Sequence, residues 1–334
     1  VRRAEKHLWY VILNGRDDIF LCNFVSVGAK SQQMSEYHVP VMAAEAVQLL
    51  DIKADGTYAD LTFGGGGHSR EILARLGCGG RLFGFDQDTD ARANAPQDDA
   101  RFTFVESNFR FMRAQLRLHG VTQVDGVLAD LGVSSHHFDT AERGFSFRFD
   151  APLDMRMNRR GRTTAARTVN DYTSEQLIRI IGEWGEIERP HRTADCIVRA
   201  RTAAPIETVG QLIEAVRPCT PPRDENKFLS KLFQAFRIEV NGEMEALKMA
   251  LEQSLRILKP GGRLVVISYH SLEDRLVKNF MRSGDFSGEI RKDFYGVAHT
   301  PFELITRKAL TPTPEELAAN PRSRSAKMRA AEKK

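Results

Sequence analysis

Thr57-Tyr-Ala-Asp-Leu-Thr-Phe-Gly-Gly-Gly-Gly-His-Ser69 decides the fold. Residues 57–62 read as a short apolar strand, Gly64 to Gly67 as a loop, and 69–76 as a helix. Working outward, 81–85 (Arg-Leu-Phe-Gly-Phe) form a second strand ending in Asp86. A third strand over 101–105, a helix over 109–119 and a fourth strand, Val124–Asp130, follow. Short strands alternating with helices predict βαβ units on a parallel, doubly wound α/β sheet. In such sheets ligands occupy the crevice at the carboxyl ends of the strands, where glycine lets the backbone approach closely. Asp86 stands where an acid accepts hydrogen bonds from ribose hydroxyls, so a nucleoside-containing cofactor is expected. A glycine turn serving only packing is the competing reading. The dinucleotide fingerprint fails, because its third glycine falls on Ser69 or Arg70, and no Gly-Lys-Ser/Thr completes a P-loop. This disfavours a nicotinamide-dependent oxidoreductase. S-adenosylmethionine lacks a pyrophosphate and makes no such demand on the loop.

The alternation stops after the fourth strand. Residues 136–235 read as mostly helical, with capping boxes at Thr173 to Gln176 and Thr208 to Gln211 and a first-turn Pro190. Their entry, 141–170, carries seven Arg against three acids. A helix over 243–258, stopped by Lys259-Pro-Gly-Gly262, restarts the sheet pattern. A buried strand over 263–268, a helix over 272–281 and late strands over 302–307 and 326–331 complete it. The organisation expected is one sheet domain, 34–135 and 236–334, interrupted by a helical insertion at 136–235. Residues 1–33 fit no such pattern and are read as a non-native or disordered upstream extension, with Met34 as the functional start.

Composition narrows the class. The 334 residues are 42% apolar and 28% charged, ordinary for a globular chain. The longest apolar runs, 8–13 and 264–267, fall far short of the ~20 residues of a membrane span. Cys22, Cys78, Cys196 and Cys219 lie far apart with no metal-ligand spacing. They read as reduced thiols of a cytoplasmic protein without a metal site. A net charge of +4 is weak, but the basic stretch at 141–170 and another at 321–334 suggest an anionic partner such as nucleic acid. A solvated face and a basic tail are the plainer reading.

Several motifs in order carry a resemblance. They are Asp60-Leu-Thr-Phe-Gly-Gly-Gly-Gly-His-Ser69, Asp130-Leu-Gly-Val-Ser-Ser135, Glu142-Arg-Gly-Phe-Ser-Phe147 and Pro152-Leu-Asp-Met-Arg-Met157. Phe233-Gln-Ala-Phe-Arg237, Lys259-Pro-Gly-Gly-Arg263 and Ser268-Tyr-His-Ser-Leu-Glu-Asp-Arg275 continue the series. From about residue 37 to 331 the chain resembles the bacterial 16S ribosomal RNA cytosine-N4 methyltransferase family, RsmH (MraW). The resemblance implies a seven-stranded, Rossmann-like class I methyltransferase sheet and S-adenosylmethionine as cofactor. It implies methylation of N4 of a cytidine in the decoding region of 16S ribosomal RNA, within the small ribosomal subunit. By matching motifs, Gly66, Gly67 and His68 would line the methionine and ribose side, Asp86 would hold the ribose and Phe109 would lie by the adenine. Asp130 and His137 would complete the cofactor contacts, although relatives commonly carry Gln at the position of His137. An RNA-binding assembly factor with an idle cofactor site is the alternative, and a homodimer is left open.

The N4 lone pair is delocalised into the ring, so a hydrogen-bond acceptor at the amine is needed to draw it out and take the proton. DNA amino-methyltransferases place Asp/Asn-Pro-Pro-Tyr at the end of the fourth strand. Here the place reads Asp130-Leu-Gly-Val, with neither proline nor aromatic. Asp130 is the first candidate for the acceptor, Asn241 and His270 the others. Asn241 reads equally as the N-cap of the next helix, and His270 as a cap for the helix at Leu272. In the basic stretch, Arg143, Arg148, Arg156 and Arg159, with Arg237 further on, are expected to contact RNA. Phe145, Phe147 and Phe149 read either as stacking surfaces for an extruded base or as core of the insertion.

Overall fold

The computed structural model describes residues 40–334, and the expected upstream extension lies outside them. In chain order the main elements are α1 (Ala43–Leu50), β1 (Thr57–Asp60), α2 (Gly67–Leu73), β2 (Arg81–Asp86), β3 (Phe102–Glu106), α3 (Met112–Leu118), β4 (Val124–Asp130) and α4 (Ser135–Asp139). Then come α5 (Ala165–Asp171), α6 (Ser174–Glu183), α7 (Pro190–Ala203), α8 (Val209–Val216) and α9 (Glu225–Asn241). The chain continues with α10 (Glu243–Ile257), β5 (Leu258–Ser268), α11 (Ser271–Ser283), β6 (Phe302–Leu304), α12 (Pro314–Ala319) and β7 (Lys327–Lys333).

The strands form one seven-stranded sheet in the order β3-β2-β1-β4-β5-β7-β6. β1 to β5 are parallel, and β7 runs antiparallel to both of its neighbours. The order reverses between β1 and β4, which opens the crevice there. Alternation along each strand builds two apolar layers. Ala59, Phe83, Val127 and Ala129 pack under α3, α10 and α11, while Tyr58, Leu82, Leu128 and Val265 pack under α1 and α2. This is the doubly wound, Rossmann-like sheet that the sequence leads one to expect.

Helices α5 to α9 enclose a separate apolar cluster around Ile180, Ile197, Leu212 and Leu232. Both capping boxes form, and Pro190 opens α7. α9 crosses position 235 unbroken, because its apolar face runs on through Phe236 and Ile238. The chain turns instead at Gly242, in the left-handed region at φ 59°. Lys259-Pro-Gly-Gly262 also differs from expectation: it bulges within β5, since Val124 pairs with Leu258 and Gly126 already with Arg263. Lys259 pins the bulge through an ion pair to Asp125 at 2.7 Å.

Candidate active site

β1, β2 and β4, the strands around the crevice, each end in an aspartate. Asp60, at the end of β1, is buried. It accepts the Ser69 hydroxyl at 2.7 Å and the Thr62 N–H at 3.1 Å, fixing the entry to α2. Between them runs the glycine loop. Gly64 (φ 49°) and Gly66 (φ 73°) adopt left-handed backbone, and a side chain at Gly66 would strike the Phe63 ring. The space beside Gly64 is open, its nearest neighbours at 3.9 Å. Gly67 opens α2 and packs closely on Pro40.

Asp86, ending β2, accepts the N–H of Gly64 and of Asp88, each at 2.8 Å. Each oxygen keeps a second lone pair for another donor. Burial raises its carboxyl to about 6, against those two hydrogen bonds. The open loop beside a carboxylate with spare acceptor capacity fits a ribose-bearing cofactor. Phe109 follows β3 and lines a small apolar void with Leu61, Ala129 and Leu131.

Asp130 ends β4. Its N–H donates to Thr62 Oγ1 at 2.7 Å and its Oδ1 accepts the Tyr269 hydroxyl at 2.7 Å. Oδ2 lies 3.7 Å from Nδ1 of buried His68, whose Nε2 contacts the Val41 carbonyl at 2.9 Å. Burial raises the Asp130 carboxyl to about 6, while the His68 and Tyr269 contacts hold it down. A carboxylate with this pKa can exchange a proton near neutrality. The structure thus brings together Gly66, Gly67, His68, Asp86 and Asp130, adding Asp60 and Tyr269, which residue-level reading of the sequence assigned no role. The signal for both was position: each stands at the end of a sheet strand.

Other residues take different partners from those expected. His137 is buried; Nε2 meets Asp88 at 2.7 Å and Nδ1 meets Ser134 at 3.0 Å, so the protein occupies both nitrogens. Arg143 joins that network. At 3% exposure it pairs with Asp88 at 2.8 Å and donates to the carbonyls of Arg156 and Met157. The expected phosphate contact of Arg143 is therefore corrected to a buried ion pair. Burial would raise the Asp88 carboxyl, but His137, the Asp90 N–H and Arg143 outweigh it and drive it well down.

Asn241 closes α9 rather than capping α10. Its amide oxygen accepts the Met157 N–H and its NH2 donates to the Met155 and Arg237 carbonyls, each at 2.8 Å, so the side chain ties the 155–157 turn to α9. His270 is the N-cap of α11 in a capping box with Glu273, as the cap reading has it. Arg237 is half-buried and held on Glu243 in a two-point ion pair with both contacts at 3.0 Å, so its charge is paired within the protein. Glu243, His270 and Glu273 converge within 4.8 Å, and Arg237 fixes a positive charge against this group. Arg156 is tied to Asp154 at 2.6 Å and to the carbonyls of Arg159 and Gly161. Arg148 and Arg159 remain exposed. Of the three phenylalanines, Phe145 is core and Phe147 packs on Phe233, leaving Phe149 on the surface.

Comparison with known proteins bears on this site. Residues 35–334 match the MraW methylase family. A protein named ribosomal RNA small subunit methyltransferase H from Parabacteroides distasonis is 57% identical over 298 residues, covering 89% of this chain and 97% of its own. Proteins of the same name are similar: 56% identical in Bacteroides fragilis, over 91% of this chain and 99% of that one, and 55% in Flavobacterium johnsoniae, over 89% and 98%. Matched along nearly all of its described length, the chain belongs to the MraW methylase family and is a methyltransferase whose methyl donor is S-adenosylmethionine.

Proposed function

We propose that the protein methylates the N4 amine of a cytidine in the decoding region of small-subunit (16S) ribosomal RNA. The names of its relatives support the small-subunit RNA as substrate. The observation that carries the chemistry is Asp130, a half-buried carboxylate at the β4 end whose Oδ1 is engaged by Tyr269 while Oδ2, with His68 Nδ1 at 3.7 Å, keeps room for a further donor. When bound, the cofactor supplies an electrophilic methyl on a positive sulfonium. Gly64 to Gly67 and Asp86 bind and orient the cofactor, with Phe109 on the adenine side and His68 behind the loop. Asp130 Oδ2 accepts a hydrogen bond from N4, which draws the lone pair out of the ring, and then receives the proton. The remaining contribution is in-line positioning.

In solution the base must be extruded from folded RNA. Arg148 and Arg159, with exposed Phe149, form the basic rim on which we place the RNA backbone. The location is the cytoplasm, where ribosomal subunits are assembled. Among the described residues, no helix is long and apolar enough to cross a membrane.

The test uses small subunits from cells lacking this gene, incubated with the protein and labelled S-adenosylmethionine, then digested and mapped by mass spectrometry. Methyl on cytidine N4 is the expected result, absent with Asp86→Ala. No transfer to subunits by a protein that binds the cofactor would overturn it and favour an assembly factor with an idle site.

A further inference from the structure

A second surface, away from the crevice, has the chemistry of a nucleic-acid platform. The segment between α11 and β6 folds into a small hairpin, closed by a bridge between Lys292 and Ala298. Asp293 stiffens its tip: its N–H donates to the Val297 carbonyl, and its Oδ1 accepts the N–H groups of Tyr295 and Val297, each at 2.9 Å. Gly296 supplies the left-handed turn at φ 79°. On this tip Phe294 is 97% and Tyr295 86% exposed, their rings edge to face at 5.6 Å. Two adjacent large aromatics held in water on a hydrogen-bonded tip have no packing role in the chain, and such exposure marks a binding surface.

Beside the hairpin, α11 and the edge strand β6 frame a groove of about 630 Å³. Lys278 and Arg282 line it from α11 and Arg307 from beyond β6. All three are exposed and take no carboxylate partner among the described residues. Arg329, also lining the groove, is paired with Asp274 at 2.6 Å, and Glu303 is the groove's acid. Arg291 and Lys292 add charge at the foot of the hairpin, Arg291 facing Asp285 at 3.7 Å. The balance is positive, and the apolar contribution comes from aromatic faces.

We propose that this hairpin and groove bind a single-stranded segment of the substrate RNA, bases stacking on Phe294 and Tyr295 and backbone phosphates lying along Lys278, Arg282 and Arg307. Unpaired bases stack on aromatic faces without sequence preference while a basic groove follows the backbone. A protein partner would meet the same aromatics but would leave this run of cations unexplained. The surface lies two strands out from β5, where Phe302 pairs with Lys333 near the entry of the sheet strands. It therefore touches neither the glycine loop nor Asp130, and it acts by anchoring RNA far from the methylated base. The inference rests on the proposed RNA substrate.

The experiment compares the full-length protein with Phe294→Ala/Tyr295→Ala and with Arg282→Ala/Arg307→Ala. Dissociation constants are measured for unmethylated small subunits and for deproteinised 16S RNA, alongside methyl transfer to subunits. Both double variants should bind both targets about tenfold more weakly, with cofactor affinity and kcat unchanged. The charge variant should lose roughly one unit of salt slope per arginine. Unchanged affinity and slope would overturn the proposal. A loss confined to intact subunits would also overturn it, in favour of a ribosomal protein as the partner. Should the unaltered protein methylate no RNA, the reading of its function fails by that result alone, while the binding constants still decide this surface.

Discussion

At the scale of single residues, the Tyr269 hydroxyl on Asp130 is the contact with the clearest chemical consequence. The expected pair of proline and aromatic is missing after Asp130, yet an aromatic reaches the same carboxylate from the end of β5, its ring 3.3 Å from where a side chain at Gly132 would begin. Burial is what raises Asp130 to about 6, and the hydroxyl opposes it by favouring the ionised form. An acceptor must be ionised, so kcat should fall as pH drops through about 6. Tyr269→Phe removes a donor to the carboxylate, so the carboxyl pKa rises and the acidic limb of the kcat profile should move to higher pH. Single-turnover methyl transfer between pH 5 and 8 measures it; an unmoved limb would show that Asp130 does not take the proton. The sequence displayed Asp130 because a carboxylate ending a strand is visible in the chain. It hid Tyr269 because the contact joins two strands 139 positions apart.

Among the elements, the stretch from α4 into α5 shows where reading charge along the chain succeeds and fails. Seven arginines in thirty residues looked alike, but their fates differ with burial. Arg143 sits beneath the loop between Asp88 and two carbonyls, Arg156 holds the loop's own turn, and Arg148 and Arg159 reach solvent. No one-dimensional pattern separates them, since the carboxylate that captures Arg143 comes from just beyond the end of β2, 55 positions earlier in the chain. Removing one partner of a buried, hydrogen-bonded pair strands the other charge, typically at about 3–5 kcal/mol. Arg143→Ala should therefore lower stability by about that much in denaturant titration, with any loss of RNA binding following from unfolding. A variant as stable as the parent would sink this structural role. The helices of the insertion were far more legible. Their capping boxes and first-turn proline are local signals, and local signals survive into the fold.

Over the whole molecule, the sheet was readable from its strand ends and its alternation, while the end of the helical segment was not. α9 passes the expected boundary because it contributes one apolar face to the helical cluster as far as Phe236 and still delivers Arg237 to Glu243 beside the sheet. With the proposed cofactor and RNA surfaces on different elements, the two affinities should separate. Arg148→Ala with Arg159→Ala should leave cofactor affinity unchanged and flatten the salt dependence of RNA binding by roughly two units. Equilibrium binding at several salt concentrations checks this, and an unchanged slope would make the loop merely a solvated face. The strand order also sets a timetable for synthesis. β4 reaches the ribosome exit 128 residues before β5 begins, a delay of about 6–25 s at ordinary elongation rates of about 5–20 residues per second. β6 has β7 as its sheet neighbour and precedes it by 23 residues, a further wait of about 1–5 s. The helical segment, enclosing its own apolar cluster, emerges within the first delay, so it can fold while the half-built sheet still waits for the strand that will cover its edge.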